Sequence, residues 1–127
     1  MKKAIVLIFL FTALLGYSQQ PFIIPIDSDL NFYMSDTLSS KDAKKISKLA
    51  YVYCNERKPI VGTVVRFQVF NKELDKAVIC TGEYMTDSAR MLIVPGTIPY
   101  TLYIEGIIGA IGKDTIQLTY KKIVIKD

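Results

Sequence analysis

The sequence predicts an all-β protein, an antiparallel Greek-key β-sandwich of about seven strands with an N-terminal extended arm and one short helix, behind a cleaved signal peptide. Three observations carry that expectation. The chain opens on lysines followed by an apolar run, its later two-thirds alternate apolar and polar residues, and the connections between alternating segments are too short for helical crossovers.

Lys2 and Lys3 precede an apolar stretch from Ala4 to Phe11 that continues past Thr12 to Leu15. That is the order of a secretory leader, and small residues at Gly16 and Ser18 predict cleavage after Ser18, with Gln19 as the first mature residue. The apolar run falls short of the roughly 20 residues that a membrane span needs. The first cysteine is Cys54, so no lipid attachment directly after the leader is expected. The expected organisation is residues 1–18 as signal peptide, 19–48 as the arm with its short helix, and 49–127 as the β-sandwich. The product is expected to be secreted or periplasmic, in the cell envelope, with no stable membrane span after cleavage.

Removal of residues 1–18 leaves 109 of the 127 residues, the length of one domain. Net charge falls from +4 to +2 with the loss of Lys2 and Lys3, and the remaining lysines are spread along the chain. A solvated surface explains them better than a phosphate track, so no nucleic-acid partner is expected.

In the arm, Pro21 and Pro25 stand among several Asp, Ser and Asn residues, which predicts an edge strand or extended segment. Ser39 lies three residues before Asp42, and Ala43, Ile46 and Ala50 recur at spacings of three and four, which predicts a short surface helix or turn. Beyond it LAYVYC, TVVRFQVF, AVICTGEYM, RMLIVP, YTLYIE, DTIQLTY and KIVIK read as strands. From Thr63 to Phe70 the pattern places Val65, Phe67 and Val69 on one face and Val64, Arg66, Gln68 and Phe70 on the other. Tyr100, Leu102 and Ile104 alternate with Thr101, Tyr103 and Glu105, and Ile116, Leu118 and Tyr120 are expected to face inward. GIIGAIG, from Gly106 to Gly112, reads as an apolar loop.

The segment from Lys58 to about Leu118 resembles the carboxypeptidase-regulatory-like, transthyretin-like β-sandwich domain of exported bacterial proteins. Pro59 and Gly62 in KPIVGTVVRF look like that family's entry motif. Thr86 and Asp87 in MTDSARMLIVP look like its turn and following strand, and Tyr100, Leu102 and Ile104 like its closing strand. The resemblance implies a seven-stranded Greek-key sandwich used as a structural, adhesive or docking module.

The chain contains no histidine, which excludes Ser-His-Asp and Cys-His nucleophile systems and histidine-ligated zinc. No phosphate loop or dinucleotide fingerprint appears, and no cofactor or catalytic residue is expected. Asp27 and Asp29 could hold a calcium ion, although a solvated polar turn is the favoured reading. In an exported chain Cys54 and Cys80 either form a disulfide or remain buried thiols, with the bridge slightly favoured. Tyrosines are the more telling excess. Tyr51 and Tyr53 share one strand face and Tyr103 is expected on the outer face of its strand, so together they make a candidate binding surface against the plainer reading of sheet packing. The expected function is a non-enzymatic module that binds a protein or surface component of the cell envelope. The alternative is a small carbohydrate-binding or ligand-transport module that uses exposed tyrosines.

Overall fold

The computed structural model describes residues 21–127. The expected leader, its cleavage point and Gln19 lie outside the described residues. The described chain is mostly β, with two short helices.

Eight strands run in the order β1 (Phe22–Asp27), β2 (Thr37–Leu38), β3 (Ile46–Asn55), β4 (Lys58–Asn71), β5 (Lys76–Thr81), β6 (Tyr100–Ile111), β7 (Asp114–Leu118) and β8 (Lys121–Ile125). Helix α1 (Ser40–Lys44) precedes β3, and α2 (Asp87–Arg90) follows β5. The strands form one curled sheet ordered β1-β3-β4-β6-β8-β2, with β5 added to β4 and β7 added to β6. Every pairing is antiparallel except the two-residue pair β2–β8, which makes the sheet mixed.

Two long strands form the spine. β4 has 14 residues and β6 has 12, and they pair with each other from Val64–Gly109 to Asn71–Leu102. On its other edge β4 takes β3 along its first half and β5 along its second, while β6 takes β8 and then β7. The β4–β6 register shifts between Val64 and Arg66 and again between Arg66 and Gln68. Opposite those shifts stands Gly106, at φ 57°, a conformation that glycine adopts without steric cost.

The bulge corrects the expected facing of β4. Val64, read from simple alternation as facing away from Phe67 and Val69, is buried in the same core as both. Val65 absorbs the offset and is half-buried. The remaining alternation holds on β6, where Tyr100, Leu102 and Ile104 enter the core. On β7, Leu118 is buried and Ile116 half-buried, but Tyr120 lies past the strand end and is 53% exposed, not inward.

GIIGAIG is strand rather than loop up to Ile111, and only its last glycine joins the β6–β7 turn, at φ 59°. RMLIVP, expected as a strand, begins in α2 and continues as an extended crossover. Thr86 caps α2 by accepting a bond from Ala89 N at 3.2 Å. Leu92 and Ile93 then enter the core side by side, which a two-residue alternation never allows. Side chains hold this crossover: Asn71 Nδ2 donates to the Leu92 carbonyl at 2.7 Å, and the Tyr100 hydroxyl bonds both Val94 N and Val94 O. The expected helix is present as α1, with Ser39 accepting from Asp42 N at 3.1 Å.

One core gathers residues from the whole sheet, among them Leu49, Tyr51, Phe67, Ile93, Ile107 and Ile123. A second, smaller cluster lies on the opposite face of β1 and β3, where Ile24, Ile26, Ala50 and Val52 are covered by Phe32 and Met34 of the following loop. The arm thus supplies an edge strand, as its prolines suggest, and a cover for that strand. At the rim, Leu49 N donates to the Glu83 carbonyl and Met85 N to the Ser47 carbonyl, so the chain after β5 closes onto β3.

Candidate functional site

Away from the core, β4, β5, β6 and β8 turn a common face toward solvent. Ala77, Phe70, Tyr103 and Lys122 are consecutive cross-strand partners and form one row across it. The next row is Ile79, Gln68 and Glu105, in which Gln68 Nε2 donates to Glu105 Oε1 at 3.2 Å. Arg66 follows on β4, opposite Thr81.

Within the first row the Phe70 and Tyr103 rings lie 6.3 Å apart and tilted by 39°, an arrangement in which edge and face attract. The Lys122 ammonium stands 5.9 Å from the centre of the Tyr103 ring and 5.7 Å from that of Tyr120. Both contacts are cation–π in kind, and they hold a long, flexible side chain in place. Phe70 and Tyr103 are half-buried, while Lys122 and Tyr120 are exposed. The face therefore combines ring surface, a cation, and an amide–carboxylate pair with spare donors and acceptors.

Of the three tyrosines expected at a binding surface, Tyr103 alone lies on this face. Tyr51 is 0% exposed, its ring spread over Gly62 and Gly109, and its hydroxyl donates to the Ala110 carbonyl. Tyr53 is half-buried and stacks on Tyr51 with ring centres 5.6 Å apart. Both point inward because β3 is covered on that side by the rest of the curl. Burial pushes the Tyr51 hydroxyl above its ordinary range, with the Tyr53 hydroxyl adding to the effect. Sequence reasoning already placed Arg66, Gln68 and Phe70 on one face of β4, and Tyr103 and Glu105 on one face of β6. The β4–β6 register that joins them carries no local sequence signal.

Cys54 and Cys80 are free thiols, which corrects the favoured bridge. Cys54 pairs with Pro59 and Cys80 with Phe67, on the same edge of β4 and eight residues apart. That is roughly 26 Å of strand at 3.3 Å per residue, well beyond disulfide reach. Cys80 is buried, its sulfur 3.6 Å from Thr86 Oγ1.

Asp27 is no solvated turn residue; it is 5% exposed and anchors the loop after β1. Its Oδ1 accepts from Asp29 N and Asn31 N, and its Oδ2 from Asn31 Nδ2 and the Tyr33 hydroxyl. Those donors occupy both oxygens, and Asp29 contributes its amide. Among the described residues no group of three or more Asp, Glu or Cys is placed to hold a metal ion. Burial would raise the Asp27 carboxyl, but the bonds from Asn31, Tyr33 and Asp29 outweigh it and hold the group below its usual value. Burial and the neighbouring Asp27 carboxylate push Tyr33 up to about 12.

Comparison of the chain with protein-family models, curated proteins and solved structures finds no match.

Proposed function

We propose that this protein is an exported, non-enzymatic binding module that docks a surface component of the cell envelope on the outer face of its curled sheet. The row of Phe70, Tyr103 and Lys122 carries the reading: two half-buried rings and an exposed cation gathered from three strands onto one open surface. Rings so placed supply contact area at small entropic cost, because the sheet already fixes their backbones. The lysine-led apolar leader supports export, and the absence of histidine supports binding rather than catalysis.

The module belongs, in this reading, with the Greek-key sandwiches of the carboxypeptidase-regulatory-like type. The two halves of the curl act as the opposed layers, sharing the core that Tyr51, Phe67 and Ile107 fill.

Envelope fragments from cells that produce the protein should retain the wild type and release Phe70→Ala and Tyr103→Ala variants that are shown to be folded at the assay temperature. Equal retention of all three would refute the docking face. N-terminal sequencing of protein recovered outside the cytoplasm is expected to begin at Gln19, and an intact Met1 on cytosolic protein would refute export.

A further inference from the structure

Lys122 forms no salt bridge among the described residues, whereas its neighbour Lys121 pairs with Asp36 at 3.1 Å. Glu105, the carboxylate of the next row, accepts from Gln68 on the neighbouring strand. The Lys122 ammonium is instead steadied between the Tyr103 and Tyr120 rings, which fix its position without neutralising it. A cation held in place and left uncompensated suits an anion arriving from outside.

The rest of the face narrows the chemistry of that anion. Gln68 and Glu105 use one donor and one acceptor on each other, leaving an amide N–H, an amide oxygen and a carboxylate oxygen. Tyr103 and Tyr120 add hydroxyls that both donate and accept. Sugar hydroxyls need that mixture, and the carbon-bound hydrogens of a sugar ring pack against aromatic rings. Two cations, Lys122 and Arg66, share the face with the carboxylate of Glu105, a small net charge that suits single carboxylates set among neutral hydroxyls rather than a nucleic-acid phosphate backbone.

Resting on the docking face proposed above, we infer that its ligand is an acidic polysaccharide. A uronate carboxylate meets Lys122, and neighbouring sugar hydroxyls meet the Gln68–Glu105 pair.

Affinity electrophoresis of the purified protein through gels containing polygalacturonate, neutral dextran or polyglutamate tests this. Polygalacturonate is expected to retard the wild type while dextran and polyglutamate leave it unshifted. Lys122→Gln is expected to weaken the interaction roughly tenfold, the scale of one charged contact. Tyr103→Ala is expected to abolish it; the exposed Lys122→Gln should keep the wild-type melting temperature, and Tyr103→Ala, which loses the half-buried contact with Phe70, should melt lower but remain folded at the assay temperature. Equal mobility in polygalacturonate and dextran, or wild-type binding by Lys122→Gln, overturns the inference. Equal or stronger retardation by polyglutamate also overturns it, in favour of an acidic protein. If polygalacturonate fails while Tyr103→Ala still loses envelope retention, the docking face stands and the acidic sugar does not.

Discussion

The ring of Tyr51 packs against the backbone of Gly109, in the space a side chain at that position would fill. Gly62, the direct cross-strand partner of Tyr51, is bare for the same reason. The phenol therefore spans from β3 over β4 to β6, where its hydroxyl donates to the Ala110 carbonyl. Three strands are pinned by one side chain that only two missing Cβ atoms make room for.

Gly109→Ala places a methyl group inside that ring, and the obstacle is a wedged aromatic body rather than a flexible tip. Overpacking of this kind costs about 1–3 kcal/mol, to be read as a lower urea midpoint. Pairing Gly109→Ala with Tyr51→Ala should cost less than the sum of the two single changes, because removing the ring removes the clash. Strict additivity would show that the glycine serves some other purpose.

Asp27 sets an acid limit on stability. Its folded carboxyl lies below the ordinary value of 3.8, so its contribution is complete above the unfolded value and is lost as pH falls through the folded one. Asp127 acts in the same direction, its carboxylate held down by the amides of Ser40 and Gly96. The informative quantity is thus the difference between two proteins. Asp27→Asn should lower stability by about 1.5–3 kcal/mol at neutral pH and show a shallower loss below pH 4 than the wild type. An unchanged acid limb in the variant would mean that other carboxylates govern it.

The β3–β4 hairpin turns through Glu56 and Arg57 at φ 51° and 65°, a left-handed pair that asparagine and glycine adopt far more readily. Replacing them together by Asn-Gly should raise stability by roughly 1 kcal/mol. A thermal melt checks this, and a lower midpoint would show that the present side chains make contacts worth more than the strain they bring.

Free thiols give a direct chemical signature. Reducing agent should leave the melting temperature unchanged, and an unfolded sample should titrate two thiols under non-reducing conditions. In the native state the half-buried Cys54 should react well before the buried Cys80. A protein of which no thiol reacts until it is reduced would contradict the strand placement itself.

Strand identity was legible because a half-buried strand writes itself into sequence every second residue, as Tyr100, Leu102 and Ile104 do. The α1 cap was legible too, since Ser39 and Asp42 act within four residues of each other. Three features were not. The bulge at Val64–Gln68 exists to bend β4 around a core made of distant residues, so nothing local announces it. The glycines of GIIGAIG suggest a loop until Tyr51, far back in the chain, supplies the reason for Gly109. The adjacent burial of Leu92 and Ile93 needs Asn71 to hold the crossover in place. The face proposed for docking was half visible: alternation set Phe70 on the face opposite Phe67 and Val69 and placed Tyr103 outward, but pairing the two needed the register.

Because β4 and β6 each run the length of the curl, every other strand leans on one of them or on a strand that does. Neither end of the molecule can unzip while the other persists, for both would lose the same two rails. Denaturation should be a single all-or-none event, and no fragment lacking either rail should hold a fold of its own.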